Sequence, residues 1–167
     1  GYGTYTFRNG NNYERLFLNG DMNGQGTYTF KGGNKYEGEF KNDDFHGQGT
    51  FYVTTGEFYS GEWDGGKRDG QGIFDFNNGN RYEGLVLDGK FHGQGIFIYS
   101  EGNRYEGDWL NDKREGLGIL YMSNGDKYEG EWKNDKRTGQ GTVTYSNSEV
   151  YLGSWLDGKR NGQGTYI

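Results

Sequence analysis

The sequence has no cysteine, no proline and no alanine, and among 167 residues only two histidines, His46 and His92. Without cysteine there are neither disulfides nor thiolate metal ligands. Without alanine the best helix former is missing, and no stretch shows an apolar helical period. No apolar run approaches the length of a transmembrane helix, and no secretory signal is present. The chain is rich in asparagine yet carries no Asn-x-Ser/Thr sequon. The missing cysteines and sequons point to an intracellular protein.

Glycine and aromatic residues fill the space left. There are 34 Gly, 15 Tyr, 11 Phe and 4 Trp. Gly-x-Gly pairs begin at Gly1, Gly24, Gly47, Gly70, Gly93, Gly116, Gly139 and Gly162, always 23 residues apart. A fixed period of this size signals a repeat architecture. Counted from its tyrosine, the repeat spans 13–35, 36–58, 59–81, 82–104, 105–127 and 128–150. Residues 1–12 are a half repeat and 151–167 a partial one, so 1–167 is expected to be one array. Both ends fall inside a repeat and no initiator Met is present, as in a piece of a longer array. Further repeats at either end are therefore expected partners.

One repeat, YEGEWKNDKRTGQGTVTYSNSEV (128–150), shows the physics. YEGEWK alternates apolar and polar, as a half-buried strand does, with Tyr128, Gly130 and Trp132 on one face. Asn134 to Gly139 read as a polar six-residue turn. A second strand follows, with Gly141, Val143 and Tyr145 on one face. Asn-Gly pairs such as Asn124-Gly125 then signal a hairpin turn into the next repeat. The sequence predicts an all-β fold, an elongated and twisted antiparallel sheet of tandem hairpins with one aromatic groove. Glycine within a strand weakens it unless another group approaches the backbone closely. The recurring rings are therefore expected to lie over glycines, some of which also supply positive φ.

YEGEWKNDKRTGQGT, YEGDWLNDKREGLGI and YSGEWDGGKRDGQGI resemble the consensus of the MORN repeat family, and the resemblance covers the whole chain. Arg15, Leu117 and Ser148 depart from it, standing for a strand Gly, a Gln and a turn Gly. The resemblance implies a protein-interaction scaffold, often in cytoskeletal, ciliary or membrane-associated assemblies, with phospholipid contact proposed for some members. A regulatory array attached to an enzyme is a further reading.

Enzyme chemistry finds no inventory. His46 and His92 occupy the same repeat position two repeats apart, too far to share a metal. The Gly-x-Gly pairs precede no helix, and Gly66-Lys67-Arg68 lacks the spacing of a phosphate loop. No cofactor, metal site or nucleic-acid partner is expected. Recurring acids such as Glu37 and Glu39 read as a solvated face.

Three surfaces remain as candidates. The first is the aromatic groove, where Tyr36, Tyr59, Trp63, Tyr82, Tyr105, Trp109, Tyr128, Trp132, Tyr151 and Trp155 would receive partner segments. The second lies opposite. If position 4 of a repeat faces 15, and 6 faces 13, then Leu85, Leu87, Ile96, Ile98, Leu110, Leu117 and Ile119 should merge into one apolar patch flanked by Phe91. The third is a basic edge for an anionic membrane surface: Lys67, Arg68, Lys90, Lys113, Arg114, Lys136, Arg137, Lys159 and Arg160. The net charge of −6 opposes it. The expected setting is the cytoplasm, cytoskeleton or cilium, with other proteins as partners.

Overall fold

The computed structural model describes residues 2–167. Its strands are β1 (Tyr2–Thr6), β2 (Asn12–Leu18), β3 (Asp21–Thr29), β4 (Lys35–Lys41), β5 (Asp44–Tyr52), β6 (Phe58–Asp64), β7 (Lys67–Asp75), β8 (Arg81–Leu87), β9 (Lys90–Ile98), β10 (Arg104–Leu110), β11 (Lys113–Tyr121), β12 (Lys127–Lys133), β13 (Lys136–Thr144), β14 (Val150–Leu156) and β15 (Lys159–Tyr166). They form one antiparallel sheet whose order is the order of the chain. Among the described residues there is no helix and no second layer.

Packing groups the chain into two compact units. The first comprises Gly1–Asn78 and Val86–Gly89, the second Gly79–Leu85 and Lys90–Ile167. The division falls in the repeat where Val86 stands at the position that Phe or Trp holds in the others.

The turn inside each hairpin is tighter than the sequence reading expects. It is two residues long, not six. Asn134 and Asp135 both have positive φ, as do Asn111 and Asp112, and Gly65 and Gly66. These are the mirror-image turns whose twist suits a hairpin, and they favour Asn, Asp and Gly. The Asn-Gly turn between repeats is another kind: Gly125 is left-handed and Asn124 is not.

Register follows from this turn. Position 6 faces 9 and position 5 faces 10, as in Lys133↔Lys136 and Trp132↔Arg137. Further along, 3 faces 14 and 2 faces 15, as in Gly130↔Gly141 and Glu129↔Thr142. In between, Gly139 and Gln140 have no opposite residue on β12, so the second strand bulges.

The two glycines of one Gly-x-Gly pair have different tasks. Gly139 sits in the bulge at φ 53°, a conformation glycine adopts without strain. Gly141 makes room for a ring: a Cβ there would lie 2.6 Å from Cε2 of Tyr128. The Tyr128 hydroxyl donates to the Glu131 carbonyl at 3.1 Å, and the ring is fully buried. The Glu131 carboxylate accepts the bulge N–H of Gln140 at 2.9 Å, as Glu39 does for Gln48 and Asp108 for Leu117. Position 4 acids are thus part of the hairpin rather than free solvated charge.

Each repeat with tryptophan at position 5 locks onto the one before it. The Trp132 indole N–H donates to the Gly118 carbonyl at 3.2 Å, and its ring meets Tyr105 edge-on at 5.3 Å. Trp109 repeats this with Gly95 and Tyr82, Trp155 with Gly141 and Tyr128, and, in the first unit, Trp63 with Gly49 and Tyr36. The core of the second unit is this ladder of alternating tyrosine and indole; in the first, Phe40 takes the place of an indole, edge-on to Tyr13 and Tyr36.

Three substitutions probe the scheme. Gly141→Ala places a methyl into Tyr128 and is expected to cost about 1–3 kcal/mol by overpacking. Gly3→Ala has open space within 4 Å and is expected to stay within about 0.5 kcal/mol; denaturant melts of the two variants check the contrast. Arg15 occupies a glycine position at φ 122°. Relief of its strain less the entropy of glycine predicts that Arg15→Gly stabilises by about 1 kcal/mol, read as a raised melting temperature.

Candidate functional site

The ten rings assigned to the groove are not surface. The tyrosines among them, Tyr36, Tyr59, Tyr82, Tyr105, Tyr128 and Tyr151, are 0–5% exposed. Trp63, Trp109, Trp132 and Trp155 are 4–6% exposed. Each tyrosine ring is held flat against the glycine pair of its own hairpin, so these residues are the core that positions a face. What the face presents is a second tier of half-buried rings: Phe45 and Phe51 in the first unit, Phe97, Tyr99 and Tyr145 in the second. Phe51 packs beside Trp63 at 6.4 Å, and Phe97 beside Trp109 at 5.9 Å. For all of these but Phe45 the sequence signal was present, as aromatic residues at positions 16 and 18 of the repeat.

Position 10 completes this face, and sequence reading missed it. Phe45 stacks on Tyr36 at 3.8 Å and 10°. Phe91 stacks on Tyr82 at 3.7 Å and 9°. In the repeats that begin at Tyr59, Tyr105, Tyr128 and Tyr151 arginine takes the place of phenylalanine, and in the repeat that begins at Tyr13 the residue is Met22. Arg114 lies 4.3 Å over the Trp132 ring and Arg137 4.3 Å over the Trp155 ring, distances at which a guanidinium is attracted to the ring face. Arg68 covers Tyr59, Trp63 and Phe74. The signal that could have found them is the two-residue turn: once the strand restarts at position 9, position 10 shares the face of position 5.

This register overturns two expectations. Phe91 does not flank an outward patch, since it faces the aromatic side. The basic residues do not form one edge, because Lys at position 9 and Arg at position 10 point to opposite faces. Lys67 pairs with Asp88 at 2.6 Å and Lys136 with Asp157 at 3.2 Å, while Lys90, Lys113 and Lys159 are exposed. The arginines Arg68, Arg114, Arg137 and Arg160 sit over rings.

Of the outward apolar residues Leu85, Leu87, Ile98, Leu110 and Leu117 are exposed and Ile96 and Ile119 half-buried, and they do not merge as expected. In the second unit Ile96 faces Glu106, which faces Ile119, which faces Glu129. The bulge and short turn put a carboxylate between neighbouring isoleucines. Leu117, at 65% exposure, faces Glu131, and Leu110 and Ile98 are likewise exposed. Leu85 is exposed on the same side, beside Gly93. Leu87, also exposed, belongs to the first unit. A groove of about 480 Å³ runs here, floored by Gly107, Gly118 and Gly130 and walled by Leu117, Ile119 and the acids Glu106, Asp108 and Glu129. In the first unit the matching groove, about 570 Å³, is walled by Gln25, Thr27, Glu37, Gln48 and Thr50.

His46 lies 3.3 Å from the Asp64 carboxylate, on the turn side of its hairpin. Among the described residues no group of three or more His, Asp or Glu could hold a metal, and no helix is long and apolar enough to cross a membrane.

Burial of the tyrosines also sets their acidity. Burial pushes the Tyr59 and Tyr128 hydroxyls up to about 12, and Tyr36 and Tyr105 higher still.

Comparison with known proteins gives the class. The chain matches the MORN repeat over residues 1–12, 16–35, 36–57, 59–81, 82–104, 105–127, 128–150 and 151–167, and it belongs to the MORN repeat family. No curated protein matches the sequence at a significant level. Among solved structures the chain is similar to the TCP domain of Drosophila melanogaster SAS-4 (dCPAP), solved in complex with a Proline Rich Motif of Ana2 (dSTIL). Identity is 12%, the match covers 92% of this chain and 90% of that one, and the TM-score is 0.56. The TCP10 domain of Danio rerio CPAP, in complex with a peptide of STIL, is also matched, at 12% identity, 90% and 77% coverage and a TM-score of 0.44. At this identity the likeness to SAS-4 is one of fold.

A protonated tyrosine is the folded form here, so folding raises these pKa values. Stability is therefore intact below the ordinary tyrosine value near 10 and is lost as pH rises from about 10 towards 12. Tyrosinate absorbance of the core rings is expected to appear together with unfolding, in one cooperative alkaline transition seen by absorbance and circular dichroism alike. A core that titrates near 10 while the sheet stays folded would contradict this.

Proposed function

We propose that the chain is a non-catalytic scaffold that binds segments of partner proteins along its aromatic face, within a cytoskeletal or ciliary assembly. One observation carries this: an aromatic face in a single-layered sheet that, among the described residues, no second layer covers. Tandem hairpins normally bury such a face against another element. Here the tyrosine–indole ladder is sealed only by the half-buried rings and arginines above it. An aromatic surface of this kind, with arginine interspersed, is the composition of protein-binding hot spots. Membership of the MORN repeat family supports the reading. So does the fold shared with the SAS-4 TCP domain, which was solved with a segment of a partner.

The test is selection from a displayed library of peptide segments of cytoskeletal proteins. The chain is expected to enrich binders, and Phe97→Ser and Tyr145→Ser, which leave the inner ladder in place, are expected to weaken them by about tenfold each, the range of a hot-spot residue. Absence of any enriched peptide, or binders indifferent to both substitutions, would overturn the reading.

A further inference from the structure

Arginines recur at position 10 of successive repeats on the aromatic face of the second unit, and they are not equally satisfied. Arg114 is engaged: its Nε lies 3.2 Å from the Asp135 carboxylate, and its Nη2 donates to the Asp135 carbonyl at 2.9 Å. Arg137 donates only to a carbonyl, that of Gly158 at 3.1 Å, while lying over the Trp155 ring. Arg160 meets the hydroxyls of Tyr145 and Tyr166. Among the described residues neither Arg137 nor Arg160 pairs with a carboxylate, in a chain of net charge −6. Burial first, then repulsion from Arg160 and Arg114, lowers the Arg137 pKa. A half-buried cation without an anion is a costly arrangement that an incoming carboxylate relieves.

The spacing selects the conformation of what carries the carboxylates. Successive repeats are two strands apart, about 9.6 Å at ~4.8 Å per strand. A polyproline II segment turns once every three residues and rises ~3.1 Å per residue, so equivalent side chains recur about every 9.3 Å. A β-strand repeats its face at about 6.7 Å and a helix at about 5.4 Å per turn. Half-buried Tyr145, a neighbour of Arg160 on the same face, offers the kind of ring on which prolines pack.

We propose that Arg137 and Arg160 receive two acidic side chains, three residues apart, from a polyproline II segment of a partner protein laid across the strands of the second unit. This rests on the scaffold reading above and names the chemistry of its partner. An anionic membrane is the less suitable occupant, because half-buried Arg137 lies against the Trp155 ring rather than projecting from the sheet.

The experiment compares fluorescent dodecapeptides by anisotropy at low and raised salt. One repeats Glu-Pro-Pro, one has the same composition with its glutamates in one block, and one repeats Gln-Pro-Pro. The Glu-Pro-Pro peptide is expected to bind about tenfold tighter than either comparator, with an advantage that shrinks as salt screens the charges. The double variant Arg137→Gln, Arg160→Gln, shown to be folded by its melting curve, is expected to lose that advantage, as is each single variant in part if the double variant melts early. Equal binding of the blocked peptide, or an advantage that survives the folded variants, overturns the proposal. So does a double variant that loses binding to vesicles of equal phosphatidylserine and phosphatidylcholine while the wild-type chain ignores every peptide. Binding of the Gln-Pro-Pro peptide as tightly as Glu-Pro-Pro overturns this inference alone and leaves the scaffold reading standing. The scaffold reading falls only by the library selection.

Discussion

A buried tyrosine laid over a pair of glycines is the constraint on which the remainder depends. The ring can lie flat only because neither glycine beneath it has a side chain, and its hydroxyl is satisfied only because it reaches a carbonyl three residues on, as Tyr128 reaches Glu131. That contact fixes the register at positions 3 and 14. The two-residue turn fixes it at 5 and 10. The two registers differ, so the second strand must bulge between them; the bulge takes a left-handed glycine, and an acid at position 4, where there is one, holds its N–H. One interaction therefore accounts for the Tyr, three of the recurring glycines and the position 4 acid.

The indole then turns separate hairpins into a unit. Its ring packs on the tyrosine of the repeat before it and its N–H reaches that repeat's second glycine carbonyl. Two buried polar groups, a phenol and an indole, are thus each paired with backbone rather than left unmet, which is the condition for burying them at all. The tier above differs in kind. Phenylalanine and arginine exchange at position 10 because both offer a flat group to the same tyrosine face, and this exchange alters the charge of the surface while leaving the core unchanged.

The sheet, its hairpins and the ring-over-glycine packing were legible because they follow from a period of 23 residues and from strand alternation. The glycine roles were not separable in the sequence, since Gly139 and Gly141 look alike until φ distinguishes them. The outward patch failed for one reason. Asn134-Asp135 is a complete turn, yet its polar neighbours Lys136 and Arg137 resemble more turn, and reading them so shifted the pairing. The same misreading hid Arg137 on the aromatic face and placed Phe91 on the wrong side. Burial of the ten ladder rings was the other surprise: alternation predicts which face a ring takes, not how much of it the next ring covers.

The indole bond runs one way only. Every tryptophan that makes it looks back to its predecessor, and the contact it makes there is the one its successor makes with it. Such a row has a grammar of whole words. A segment of 23 residues can be gained or lost and the two repeats that then meet find the same ring, carbonyl and turn they had before. A gain or loss of any other length sets a tyrosine over a residue that has a side chain. Within each unit, length is free to vary in steps of the period and in nothing smaller.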